Sequence, residues 1–125
     1  MNKIVTAIKA TAGVLLLLLL FTTTAAAQNK ADEGTIAVTT KMKEQLGLNE
    51  SQYNKVLQIN KEYLNNIIKA KKTIKSYPTR EKKIKTYSAD REKKLKSVLT
   101  DAQYRTYASG RAENQELLKE YYEDK

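Results

Sequence analysis

The chain has 125 residues, with 23 Lys and Arg against 14 Asp and Glu, and it contains neither His nor Cys. This length allows one domain. The missing residue types exclude the usual zinc sites, Ser-His-Asp and Cys-His catalysis, and disulfide bonds. The four glycines are isolated from one another, so there is no glycine-rich phosphate-binding loop. The net charge of +9 favours acidic partners over basic ones.

Residues 1–27 are typical of a secretory signal peptide. Two lysines lie near the N-terminus, an unbroken apolar run covers residues 14–21, and the segment ends in three alanines, a pattern that signal peptidase accepts. The apolar run is shorter than the about 20 residues that a membrane span needs, which favours cleavage over an uncleaved anchor. We therefore expect a mature chain of residues 28–125 that leaves the cytoplasm, either for the periplasm or by secretion from the cell.

The mature chain is poor in the residues that build large cores. Leu, Ile and Val together number 17 in residues 28–125, Phe is absent there, and all eight Tyr remain. A single chain of this size and composition can bury only a thin core. We expect it either to pair with a second copy or to keep some segments loose.

The first half of the mature chain predicts a polar lead-in and two helices. Residues 28–35 are polar and are predicted to form a disordered lead-in. A weak helical pattern covers residues 36–46 and ends at Gly47, as helices often end at glycine. The strongest helix is predicted over residues 49–75, where apolar residues recur at three- and four-residue spacings. It ends before Tyr77-Pro78, because proline disfavours helical geometry in the residue before it.

The second half predicts two more helices. The third covers residues 79–98 with one thin apolar face, formed by Ile84, Tyr87, Arg91, Leu95 and Val98. The fourth begins at Thr100, and Ser109-Gly110 favours a bend or a break in it. The fold class is therefore all-α, with about four helices in one domain over residues 36–125.

Positive charge is concentrated in the two central helices. Residues 53–98 hold 14 Lys and Arg and only four acids, a net charge of +10. Each single lysine is interpreted as an ordinary solvated residue that keeps the protein soluble. The excess as a whole is interpreted as a surface that attracts anionic partners. The candidate client-binding residues are Lys71, Lys72, Lys75, Arg80, Lys82, Lys83, Tyr87, Lys93 and Lys94.

Two segments of the chain match each other: Leu48-Asn49-Glu50-Ser51-Gln52 and Leu99-Thr100-Asp101-Ala102-Gln103, each followed by a tyrosine. Asn49 and Thr100 are typical N-caps, and a glutamine three residues later completes a capping box. The leucine and the tyrosine fit a hydrophobic staple. Each copy therefore predicts the start of a helix. As a purely local cap contact, the Gln103 side chain would be worth about 1 kcal/mol or less.

These segments resemble the Leu-Thr-x-x-Gln motif of the periplasmic Spy/CpxP family. Leu99, Thr100 and Gln103 match it in full, whereas Asn49 replaces the threonine between Leu48 and Gln52. The resemblance covers residues 46–107 and implies a thin, curved four-helix protomer that forms an antiparallel homodimer. It also implies an ATP-independent chaperone or a regulator of envelope-stress sensing. The metal-responsive branch of that family uses His, Cys or Met-rich segments, so the resemblance does not extend to metal sensing.

The sequence is interpreted as that of a binding protein without enzymatic activity or a cofactor. Lysine combined with Tyr, Ile and Leu can hold unfolded or acidic protein clients without a fixed pocket, and a membrane stress sensor is a further expected partner. Carboxylate pairs such as Glu113 and Glu116 are interpreted as surface charge rather than as an acid–base pair.

The alternative is a protein that binds polyanions of the cell envelope, such as anionic lipid or lipopolysaccharide. Interfacial helices usually carry Trp or Phe, which the mature chain lacks, so only weak contact with an anionic membrane surface is expected. No motif that reads nucleic acid is present, and no specific nucleic-acid partner is expected.

Overall fold

The computed structural model describes the backbone of residues 25–123 and the side chains of residues 29–123. These residues form five helices: α1 (Ala25–Leu46), α2 (Glu50–Thr73), α3 (Tyr77–Val98), α4 (Asp101–Ser109) and α5 (Arg111–Tyr122). No strand occurs in this part of the chain, so the prediction of an all-α fold is confirmed. The predicted signal peptide lies outside the described residues, except for its last three alanines, which begin α1.

The predicted disordered lead-in at residues 28–35 is wrong, because these residues belong to α1. Small residues give this part of the helix its packed face: Ala31, Gly34 and Thr35 are buried at three- and four-residue spacings. A Cβ atom added to Gly34 would lie only 2.7 Å from Cγ of Tyr121 on α5. The prediction was based on the spacing of large apolar side chains, whereas this part of the helix packs closely because its buried residues are small.

The helix ends follow the turn chemistry of the sequence, with small shifts. Gly47 ends α1 with a positive φ of 64°, and its N–H donates to the carbonyl of Lys43, which confirms the predicted stop. Helix α2 ends at Thr73 rather than at residue 75. Helix α3 begins at Tyr77 rather than at residue 79, because Pro78 fits the first helical turn, where its missing N–H is not needed.

Helix α2 lies at the centre of the domain, with α1 and α3 packed against it. Helix α5 lies mainly on α1, and α3 packs mainly against α2. A single chain buries a continuous core, whose largest apolar members are Met42, Tyr63, Leu64, Ile67, Leu95, Tyr107 and Leu118. Among the described residues, no helix is long and apolar enough to cross a membrane.

Candidate functional site

Both predicted capping boxes form. The side chain of Asn49 accepts from the N–H of Gln52 at 2.8 Å, and that of Thr100 accepts from the N–H of Gln103 at 3.2 Å. In return, Oε1 of each glutamine accepts from the N–H of its own cap residue, at 3.2 Å in the first copy and 3.0 Å in the second. The first turns of α2 and α4 are therefore capped in the same way.

The two glutamines also bind each other, in an arrangement that we call the glutamine clasp. Nε2 of Gln52 donates to Oε1 of Gln103 at 2.7 Å, and Nε2 of Gln103 donates to Oε1 of Gln52 at 3.2 Å. The second N–H of each amide reaches the carbonyl of a residue at the end of another helix, Val98 for Gln52 and Leu46 for Gln103, both at 3.3 Å. Each amide thus uses both of its donors and both acceptor positions.

The glutamine clasp joins the two halves of the chain with approximate twofold symmetry. Gln52 starts α2 and binds the last turn of α3, while Gln103 starts α4 and binds the last turn of α1. Leu48 and Leu99, which begin the two motifs, are both buried in the core. The motif is therefore both a helix start and a tertiary contact. The matching Leu and Gln-Tyr of the two copies was the sequence signal for this second role.

A buried arginine lies near the centre of the core. Arg91 was predicted to lie on the packed face of the third helix, and its exposure of 4% confirms this. Its Nε donates to Oδ1 of Asn60 at 2.9 Å and its Nη1 to the hydroxyl of Tyr107 at 3.1 Å. The rings of Tyr63 and Tyr107 lie 5.2 and 5.9 Å from its Cζ atom. No carboxylate of the described residues forms a salt bridge with it.

A tyrosine hydroxyl connects Arg91 to a negatively charged side chain. Tyr107 donates to Glu92 at 2.7 Å while it accepts from Arg91, and Glu92 also binds Nε of Arg111 at 3.1 Å and the hydroxyl of Tyr104 at 3.2 Å. Burial raises the pKa of Tyr107 to about 12, so this hydroxyl remains a donor at physiological pH. Glu92 and Arg111 were not among the residues predicted from the sequence. The spacing of Tyr104, Tyr107 and Arg111 along one helical face was the only available signal.

The candidate client-binding residues separate into two groups. Four of them make contacts within the protein. Lys94 bridges Glu62 and Asp90 at 2.9 and 3.0 Å, and hydrogen bonds to these two carboxylates raise its pKa. Tyr87 packs against the core. Lys71 lies over the ring of Tyr122, and Arg80 donates to the carbonyl of Ile74.

The other five are exposed and form no ion pair with any described residue: Lys72, Lys75, Lys82, Lys83 and Lys93. Helical spacing places Lys85 on the same solvent face of α3, opposite the buried Arg91 and Leu95. We call Lys82, Lys83, Lys85 and Lys93 the α3 lysine face. The sequence analysis left out Lys85, although a helical projection of the segment would have included it.

Both members of the carboxylate pair noted in the sequence, Glu113 and Glu116, lie in ion pairs. Glu113 binds Lys41 of α1 at 2.6 Å, and Glu116 binds Lys119 at 3.2 Å. Among the described residues, no three His, Cys, Asp or Glu side chains come together as a group that could hold a metal ion.

A comparison with known proteins identifies the family of the chain, and the description of that family names no activity. No curated protein and no solved structure matches the chain. A family model described as a domain of unknown function, DUF4890, matches residues 23–107, which run from the start of α1 almost to the end of α4. This is more than half of the chain, and it includes both capping motifs and the buried arginine. The protein therefore belongs to the DUF4890 family.

Proposed function

We propose that the protein is an exported, ATP-independent binding protein of the periplasm that holds unfolded or acidic protein segments. The observation that carries the proposal is the α3 lysine face. Its four lysines lie on the solvent side of a helix that packs on one side only, and they lack acidic partners among the described residues. Unpaired positive charge of this kind attracts anionic segments over long range and gives a fast encounter rate.

Apolar surface beside the lysines supports a role with unfolded clients. A shallow groove between α2 and α3 is lined by the half-buried side chains of Ile59 and Val98, with Lys55 and Lys94 at its edge. The stems of lysine side chains add apolar area next to their charges. Such a surface suits extended segments that carry both apolar and acidic residues, and it requires neither a nucleotide nor a deep pocket. The resemblance to Spy/CpxP proteins points in the same direction, including a regulatory role towards a membrane stress sensor.

The test compares two variants that lose the same number of charges. In the first, Lys82, Lys83, Lys85 and Lys93 are replaced by Gln. In the matched control, four exposed basic residues elsewhere are replaced by Gln: Lys30, Lys43, Lys69 and Arg105. Each protein is mixed, without ATP, with an acidic client that aggregates on heating, and aggregation is followed by light scattering. We expect the first variant to need roughly tenfold more protein for the same suppression and the control to resemble the wild type.

A parallel arm separates protein clients from anionic lipid. The same three proteins are mixed with vesicles that contain anionic lipid, and binding is measured by co-sedimentation. Suppression of aggregation without vesicle binding supports the proposal. Vesicle binding that depends on the α3 lysine face, without any effect on aggregation, would favour the polyanion alternative. Equal activity of the two Gln variants towards the client would contradict the assignment to α3.

A further inference from the structure

The last helix of the described chain begins without a side-chain cap, as α3 does at Ser76. Helices α2 and α4 start with complete capping boxes, whereas α5 starts at Gly110 without any side-chain cap. The same glycine also ends α4, so a single residue joins the two helices. A Cβ atom added to Gly110 would lie no closer than 3.9 Å to its neighbours, so this joint has room for a larger side chain. A change in the direction of α5 there would break the ion pair between Arg111, the first residue of α5, and Glu92 of α3 at 3.1 Å.

The family comparison separates α5 from the rest of the domain. The DUF4890 model matches residues 23–107, and α5 begins at Arg111. The glutamine clasp, the buried arginine and most of the core therefore lie within the shared domain. Helix α5 lies outside it and covers a face formed by α1 and α2.

The surface of α5 that faces α1 and α2 is closely packed around Leu118 and Tyr121 but buries a polar side chain without partners nearer the start of the helix. Leu118 is fully buried, and the Tyr121 ring lies against the backbone of Gly34. Asn114, one helical turn before Leu118, is 1% exposed, and neither polar atom of its amide has a hydrogen-bond partner among the described residues. A buried amide without partners opposes docking, because it loses its hydrogen bonds to water without replacement. The face beneath α5 therefore suits an apolar residue better than the asparagine that occupies it.

The charges of α5 and of the lysines beside it indicate which kind of helix this face binds. Residues 111–123 carry two basic and four acidic residues, a net charge of −2, in a protein whose net charge is +9. Lys41 of α1 binds Glu113 at 2.6 Å, and Lys71 of α2 lies 5.0 Å from the ring centroid of Tyr122. Positive side chains thus flank the apolar face on both neighbouring helices.

We propose that the face of α1 and α2 beneath α5 is a binding groove for acidic amphipathic helices of other proteins, and that α5 occupies it as an exchangeable internal ligand. A partner helix would place apolar residues at the positions of Asn114, Leu118 and Tyr121, and acidic residues towards Lys41. An apolar residue at the position of Asn114 would make the partner helix bind the groove more tightly than α5 does. This tighter binding offsets the high effective concentration that α5 has because it is tethered to the groove. This groove is distinct from the α3 lysine face, so the two proposals stand independently.

The experiment uses the full chain and a fluorescent synthetic peptide of residues 110–123 that carries Asn114→Leu. With the Gly34→Cys protein the peptide also carries Tyr121→Gly, because a Cβ atom at residue 34 would meet the Tyr121 side chain at 2.7 Å. Because the chain contains no cysteine, the pair Gly34→Cys and Tyr121→Cys can lock α5 onto α1 by a disulfide, and reduction then releases it in the same molecule. We expect the peptide to bind the reduced protein, to lose binding on oxidation, and to regain it on reduction. A peptide that also carries Leu118→Asp should not bind either form.

A second variant keeps the test independent of the disulfide. Asn114→Leu in the full-length protein should dock α5 more tightly and weaken peptide binding about tenfold or more. The Gln variant of the α3 lysine face should bind the peptide like the wild type. Equal peptide binding before and after the lock, no binding to the reduced or wild-type protein, or unchanged binding to the Asn114→Leu protein would overturn the proposal.

Discussion

Gln52 and Gln103 bind each other through a reciprocal pair of amide hydrogen bonds, 2.7 and 3.2 Å long, although 51 residues separate them along the chain. Each amide also caps its own helix and binds the end of a helix from the other half of the protein. Because both donors and both acceptor positions are used, removal of either side chain leaves several half-buried groups without partners. This contact joins the first turn of α2 to the first turn of α4.

We expect Gln103→Ala to cost more than a helix cap. It removes the cap contact, the contact with Gln52 and the contact with the carbonyl of Leu46, and should lower the free energy of unfolding by about 2 kcal/mol. Gln45→Ala, at an exposed position on α1, should change it by less than about 0.5 kcal/mol. Urea denaturation measures both.

A double-mutant cycle shows whether the two glutamines act as a unit. Gln52→Ala combined with Gln103→Ala should cost about 1 kcal/mol less than the sum of the single changes, because each single change already breaks the shared contact. Strictly additive costs would mean that the two caps act separately and that the glutamine clasp adds no stability.

Arg91 should be irreplaceable even by another cation. Lysine keeps the positive charge but cannot donate to Asn60 and Tyr107 at once from two fixed positions, so Arg91→Lys should cost about 3 kcal/mol of unfolding free energy. The matched control is Arg105→Lys on α4, where the side chain is exposed and the expected change is within about 0.5 kcal/mol. If Arg91→Lys is as stable as the wild type, charge alone accounts for the role of this residue.

Alkaline pH should destabilise the protein through its buried tyrosines. Burial raises the pKa of Tyr107 and of Tyr122 to about 12, whereas an unfolded tyrosine ionises near 10. Both hydroxyls are protonated in the folded and unfolded states below pH 10, so stability is unaffected there. Between about pH 10 and 12 the unfolded chain ionises first, and stability falls as pH rises, by roughly 2 kcal/mol for Tyr107.

The absorbance of tyrosinate, followed as a function of pH, measures this effect. The wild type should show two late-titrating tyrosines, of which Tyr107→Phe removes one, while the free energy of unfolding of that variant should depend less on pH above 10. A titration curve that Tyr107→Phe leaves unchanged would contradict the assignment.

Two glycines provide a matched test of helix packing. Gly34→Ala should destabilise the protein by about 1–3 kcal/mol, because the new methyl group would meet the side chain of Tyr121 at 2.7 Å and that of Leu64 at 3.0 Å. Gly110→Ala meets no atom closer than 3.9 Å and has a negative φ, so it should be neutral or slightly stabilising. Thermal unfolding of the two variants checks the difference. Tyr121→Ala should cancel only part of the cost of Gly34→Ala, because the Cβ atom of residue 121, at 2.9 Å, remains.

The sequence was sufficient to predict features that depend on neighbouring residues. Capping boxes, the stop at Gly47 and the helical class all follow from local chemistry, and the structure confirms them. The inward position of Arg91 also followed from helical spacing. Features that depend on distant pairs could not be predicted in this way, because spacing along the chain carries no information about which faces meet. The glutamine clasp, the binding of Glu92 by Arg111, and the packing of Tyr121 on Gly34 are of this second kind.

The single-residue connection between α4 and α5 has a geometric consequence. The direction of the whole last helix depends on two backbone angles of Gly110, −98° and 10°. Leu118 lies eight residues farther along, about 12 Å along a helix axis, so a rotation of only 20° at the glycine would move it by about 4 Å. A small torsional change at Gly110 thus displaces the far end of α5 by a distance as large as a side chain.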